Sequence, residues 1–166
     1  MVVSDGDQAG YHRPETGNLV LVGSEDPACD ELDWVKDPDN YNREITDDQY
    51  KAQVYRLSKR IPTLPIPNKQ QGIVDLYDVS DDWIPIYDAT DLKGFYLAIG
   101  TSGNQYKNGP VVGQLMAEII DACEKGHDHD ADPVQVELRH IDFSLNTGIF
   151  SRNRDIIENS TFSVLG

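Results

Sequence analysis

The most informative stretch of apolar and polar positions is Gly94 to Ile120, GFYLAIGTSGNQYKNGPVVGQLMAEII, an apolar run followed by a glycine-rich loop and an amphipathic segment. Phe95, Tyr96, Leu97 and Ile99, bounded by Gly94 and Gly100, predict a short buried strand. Gly100 and Gly103 then permit sharp turns and close approach to the main chain. Pro110 suits the first position of a helix, and Val111, Val112, Leu115, Met116, Ile119 and Ile120 recur at helical spacing as one buried stripe. Upstream, GYHRPETGNLVLVG predicts two strands over residues 10–23. Tyr11 and His12 fall on the first, Leu19 to Val22 on the second, and Glu15 to Asn18 in a turn where Gly17 and Asn18 tolerate positive φ. Thr46 to Arg60 predicts a helix. Thr46 with Gln49 matches a capping box, Asp47 and Asp48 occupy the first turn, and Tyr50, Val54, Leu57 and Ile61 form the apolar stripe. Pro62 stops it.

The remaining segments are less regular. Residues 24–45, rich in Asp, Pro and Asn, predict a long surface connection pinned by Trp34 and Tyr41. Pro62 to Asn68 holds three prolines and predicts a stiff connector. Gly72 to Ala89 predicts two strands around Asp81-Asp82, with Pro85 demoting the second to an edge. Glu124 to Asp132 is a polar connection, and Val134 to Leu138 predicts a last strand. Gly148 to Gly166 is polar and irregular, with Arg152 and Arg154 as its basic residues. No internal repeat is visible.

Composition narrows the classes. At 166 residues the chain can bury a real core. Its mean hydropathy is −0.50, and no apolar run approaches the roughly 20 residues that span a bilayer. The start, MVVSDGDQAG, has no basic region and no apolar core of a secretory signal. Cys29 and Cys123 lie far apart with no CxxC spacing, which fits a reducing compartment and a cytoplasmic location. A net charge of −15 argues against nucleic acid and anionic membranes as partners. A solvated acidic surface accounts for that charge. Adaptation to a salty cytoplasm is an alternative that composition leaves open.

Several residue clusters suggest chemistry. A helix N-terminus behind a Gly-rich loop suits an anionic or electron-rich ligand, although such units also serve as plain connections in α/β folds. His127-Asp128-His129-Asp130 has metal-ligating side chains, but the polar context favours a solvated loop, so no metal is expected. Arg13 favours a structural ion pair. Trp83, Tyr87 and Tyr106 suit an aromatic pocket or core packing equally. Ser151, Ser160 and Ser163 lie in no GxSxG elbow, which leaves serine-hydrolase chemistry unsupported.

The wording of the glycine loop is more specific. GTSGNQYK, followed by a proline and an apolar helix, resembles the flavin-facing motif of the FAD-dependent amine oxidoreductases. This superfamily includes D-amino acid oxidase, glycine oxidase, sarcosine oxidase and dimethylglycine dehydrogenase. YHRPETGNLVLVG resembles its substrate-domain strand pair, and LYDVSDDWIPIYDATDLKGFYLAIGTSGNQYK its run from a substrate-site tyrosine to the flavin loop. The ending SRNRDIIENSTFSVLG is similar to the C-terminus of one bacterial branch. Ser80-Asp81-Asp82 departs from the family's usual Thr-Pro-Asp.

The resemblance implies an α/β fold of mixed α+β character. An antiparallel substrate-domain sheet would stand beside the closing strand and C-terminal helix of a Rossmann-like FAD domain. It implies a substrate-domain portion over residues 1–71, with the hairpin and helix 46–60. It places flavin-facing elements over 72–126 and an extension over 127–166. It implies FAD as cofactor, contacted by Gly100, Thr101, Ser102, Gly103, Asn104, Gln105, Tyr106 and Lys107. Lys107 would hold a substrate carboxylate, and Tyr77 would line the substrate pocket as the second catalytic candidate. Asp75 stands where monomeric sarcosine oxidases carry a flavin-linked cysteine, which implies non-covalent FAD. No arginine lies between Gly72 and Lys93, which weakens a glycine-oxidase-like assignment. The pyrophosphate-binding GxGxxG is absent from the sequence. The chain is therefore expected to be the C-terminal portion of such an enzyme, partnered by an FAD-binding N-terminal half or a separate chain, and to act on a small amine or amino acid. The alternative is a non-catalytic subunit that docks onto that chain.

Overall fold

Turn chemistry and helix caps fix the first elements locally. The computed structural model describes residues 1–161 and divides the chain into two compact units, Met1–Leu76 and a second beginning at Tyr77. In the first unit β1 (Val3–Asp5), β2 (Gly10–Glu15) and β3 (Leu19–Ser24) form an antiparallel sheet in that order. The β2–β3 turn works as predicted, with Gly17 at φ 79° and Asn18 at φ 59°. The strand β1 was not anticipated: its register, Val3↔His12 to Asp5↔Gly10, leaves no mark in so short a segment.

Helix α1 (Asp47–Arg60) starts where the Thr46 side chain accepts the Gln49 N–H and ends at Ile61. Leu57 is buried, and Tyr50, Val54 and Ile61 are half-buried around it. The basic residues of its later turns tie the unit together. Arg56 grips Asp30 through both guanidinium nitrogens, at 2.7 Å on one side. Arg60 pairs with Asp5 and Asp7. Arg13 pairs with Glu15 at 2.6 Å, the structural ion pair expected of it. Tyr41 donates its hydroxyl to Asp75 at 2.8 Å and so fastens the long connection. Trp34 does not, being 68% exposed.

In the second unit β4 (Ile86–Ala89) and β5 (Tyr96–Ile99) form a two-stranded antiparallel ribbon. A 3-10 turn, Gln105–Asn108, leads directly into α2 (Gly109–Glu124), with Pro110 in its first turn. Two further strands, β6 (Gln135–Leu138) and β7 (Phe143–Asn146), pair antiparallel. The core gathers Tyr87, Leu115 and Val136, with Val112, Met116, Val134, Leu138, Leu145 and Phe150 packed on it. The Tyr87 and Phe150 rings lie 5.0 Å apart.

Four expectations in this unit need correction. Residues 72–79 form no strand, because Tyr77 to Ser80 face the glycine loop and the corner at 80–84 closes on itself. There the Ser80 hydroxyl donates to the Ile84 carbonyl at 2.6 Å, and Trp83 sits at φ 63°. Strand β5 is not buried: Phe95 and Ile99 are about half exposed, since among the described residues nothing pairs with its second edge. Val111 and Ile120 face solvent on α2, so the buried stripe is narrower, centred on Leu115 and Ile119. Val134 to Leu138 yields β6, but β7 follows it. Among the described residues no helix is long and apolar enough to cross a membrane.

Candidate functional site

The glycine loop is built by left-handed backbone at three positions. Gly100 (φ 67°), Ser102 (φ 50°) and Gly103 (φ 77°) reverse the chain between β5 and the 3-10 turn. Asp78 anchors the first half of this reversal. Its carboxylate accepts the Gly100 N–H at 2.8 Å and the Thr101 hydroxyl. Its main-chain carbonyl accepts the Ser102 N–H at 3.0 Å. Burial works to raise the Asp78 pKa, but the Thr101 hydroxyl and the Thr101 and Gly100 N–H groups outweigh it and hold the carboxyl below its ordinary value. Ser102 is fully buried and donates to the Gly100 carbonyl at 3.2 Å. The Asn104 N–H returns to the Thr101 carbonyl at 3.1 Å.

The sequence-predicted loop residues therefore separate into two sets. Gly100, Ser102 and Asn104 are buried, and the N–H groups of all three are spent within the protein. Gly103, Tyr106 and Lys107 are exposed. Tyr106 is wholly in solvent, so core packing does not explain it. Gln105 is held between them: its side chain accepts the Tyr87 hydroxyl and the Asn108 amide, each at 2.9 Å. Tyr87 is thereby a core residue rather than a pocket wall. Burial raises its hydroxyl pKa to about 12, with Asp78 adding to the effect.

Tyr77 is brought to the loop. Its ring lies where a side chain at Gly103 would stand: a Cβ there would meet a Tyr77 ring carbon at 2.7 Å. Only glycine permits this contact, on both steric and φ grounds. An exposed patch made of Tyr77, Gly103 and, on the 3-10 turn itself, Tyr106 and Lys107 thus precedes the N-terminus of α2, where partial positive charge accumulates.

Aspartates that sequence reasoning passed over brace this site. Asp82 is buried and pairs with Arg154 at 2.6 Å, and Arg154 also donates to the Ile84 carbonyl at 2.8 Å. Asp88 is fully buried on β4 and accepts the Arg152 N–H at 2.7 Å, its guanidinium at 3.1 Å and the Ser151 hydroxyl at 3.2 Å. The expected solvated loop at 127–130 is partly corrected here, because His129 is buried. Its Nδ1 accepts the Val134 N–H at 3.2 Å, which leaves the proton on Nε2, 3.4 Å from Asp88. Burial pushes the His129 pKa down against the pull of Asp88 and Asp130. Among the described residues no group of His, Cys, Asp and Glu has a metal-holding arrangement. Of the ending SRNRDIIENSTFSVLG, its last five residues lie outside the described ones.

A protein-family model described as FAD dependent oxidoreductase matches residues 1–119. Nothing matches among curated proteins or among solved structures.

Proposed function

This chain belongs to the FAD-dependent oxidoreductase family, and from that premise we propose that it carries the flavin-facing loop and part of the substrate site of an enzyme oxidising the C–N bond of a small or N-methylated amino acid. FAD is the family's cofactor. The observation that carries the proposal is the seating of the Tyr77 ring against Gly103, which joins the tyrosine and the loop that the resemblance assigns to substrate and flavin. The exposed donor set fits the ring end of FAD. A bare glycine allows close approach of a planar group, and the turn behind it presents a helix N-terminus. Nothing in these 166 residues offers a GxGxxG for the pyrophosphate. On this proposal, that unit comes from another segment or another chain.

When bound, FAD would supply the acceptor for a hydride equivalent from the carbon beside the amine nitrogen, leaving an imine for water to hydrolyse. The protein's share is orientation. The Lys107 ammonium holds the substrate carboxylate, Tyr77 lines the site beside it, and the N-terminal end of the 3-10 turn and α2 favours negative charge developing nearby. Asp75, in place of a cysteine, offers no thioether, and its carboxylate is engaged by Tyr41 and by the Leu76 N–H at 2.9 Å. The flavin is therefore non-covalent at this position. Two free cysteines, Cys29 and Cys123, agree with a reducing cytoplasm.

Lys107→Ala tests this reading in the FAD-loaded enzyme, with sarcosine or dimethylglycine as substrate. Loss of a charge-assisted contact raises KM by about tenfold or more for the amine acid and leaves an amine without a carboxylate unaffected. Equal effects on both, or none on either, would remove Lys107 from the substrate site. A second reading, a non-catalytic subunit docked on a separate FAD-binding chain, is favoured by the half-exposed Phe95 and Ile99 beside the open edge of β5. In that case flavin reduction by the amine is unchanged when this chain is removed.

A further inference from the structure

Successive main-chain N–H groups around a left-handed turn make a concave anion site, the geometry that other proteins use to hold phosphate. In the Gly100–Ser102 turn two donors, the Gly100 N–H and the Thr101 hydroxyl, are met by a carboxylate of the same polypeptide. Asp78 places one carboxylate oxygen on the Gly100 N–H at 2.8 Å and the other on the Thr101 hydroxyl. Its carbonyl takes the Ser102 N–H at 3.0 Å, so three consecutive loop residues converge on one aspartate.

We propose that Asp78 is the positioning residue of the glycine loop, an anion of the same chain that takes up the Gly100 N–H and the Thr101 hydroxyl and sets the loop in its shape before any ligand arrives. Two consequences follow. The donors at Gly100, Thr101 and Ser102 are not those that meet a ligand, so recognition shifts to Gly103 and the residues after it. The Tyr77 ring, adjacent in sequence to Asp78, is carried against Gly103 by the same anchor. That second consequence bears on flavin only through the function proposed above; the anchoring itself does not.

Tyr87 lies close enough for the Asp78 charge to raise its hydroxyl pKa, together with burial. Ser80 packs its Cβ against Gly100, where an added Cβ would stand 3.4 Å away. The charged pair Asp82–Arg154 holds the following corner from behind, through Asp82 and the Ile84 carbonyl that Ser80 also contacts. The hydrogen bonds from Thr101 and Gly100 hold the Asp78 carboxyl below its ordinary value.

The test uses the full chain without flavin and follows amide exchange at Gly100, Thr101 and Ser102, with Ile119 and Val136 as core controls. In Asp78→Ala the Gly100 amide, which loses its acceptor, exchanges at least about tenfold faster while the core amides hold. Added formate, a free carboxylate small enough for the emptied turn, restores slow exchange, and chloride at equal ionic strength does not. Unchanged loop exchange overturns the proposal, and so does fast exchange indifferent to formate. If Asp78→Ala does not fold, Asp78→Asn decides. Its neutral amide oxygen accepts the Gly100 N–H more weakly than a carboxylate does, so exchange quickens at Gly100, whereas a wild-type rate there overturns the proposal. Because no flavin is present, a negative result leaves the family and the proposed activity untouched. Failure of flavin binding with the loop amides still protected would instead count against the proposed activity alone.

Discussion

Asp82 shows how single side chains set the acid limit of this protein. Burial works to raise its pKa, but Arg154 and the N–H of Ile84 more than offset this and hold it at about 2, against an ordinary 3.8. A depressed folded-state pKa contributes stability that is fully present above 3.8 and is lost as the pH falls towards about 2. Urea unfolding across that window should therefore show a loss of about 2 kcal/mol from this group. Arg154→Ala should cost about 3 kcal/mol at neutral pH by leaving a buried carboxylate unpaired, and should shift the acid transition upward. A variant with wild-type stability and an unmoved transition would show the pair to be idle. The turn at Gly100 to Gly103 was legible because its glycines signal it locally. Asp78, Asp88 and Asp82 were not legible, since their partners lie 22, 64 and 72 residues away.

Helices were read well because their signals are local. The Thr46 cap, the first-turn acids and Pro62 bound α1 to within a residue, and the Pro110 signal bound α2. Thr46→Ala removes the oxygen that accepts the Gln49 N–H at 3.3 Å and should cost about 1 kcal/mol, measured as a lowered urea midpoint with unchanged slope. No loss would mean that solvent replaces the cap. Strands were read unevenly. The β2–β3 hairpin carries its pairing in its own turn and was legible. The alternation in 72–79 reflects a segment that meets the glycine loop through Asp78 and Tyr77 rather than a neighbouring strand. Phe95 and Ile99 are apolar without being buried, so hydrophobicity there reports an unpaired ribbon and not a core.

For the whole molecule, the family match runs across both units and ends within α2. Beyond it, β6 and β7 complete the core of the second unit, with Val136 on Leu115 and Tyr87, while Arg152 fastens β4 through Asp88 and Arg154 holds Asp82. Flavin chemistry in this account rests on a small exposed patch backed by a dense set of internal bonds. The most direct measurement is a titration of the full chain with FMN and with FAD, followed by amide chemical shifts. Shifts should concentrate at Gly103, Tyr106, Lys107 and Tyr77, with similar affinity for both ligands, because only the flavin ring end is recognised. Shifts centred on Gly100 and Thr101, strong preference for FAD, or no response in this loop would contradict it.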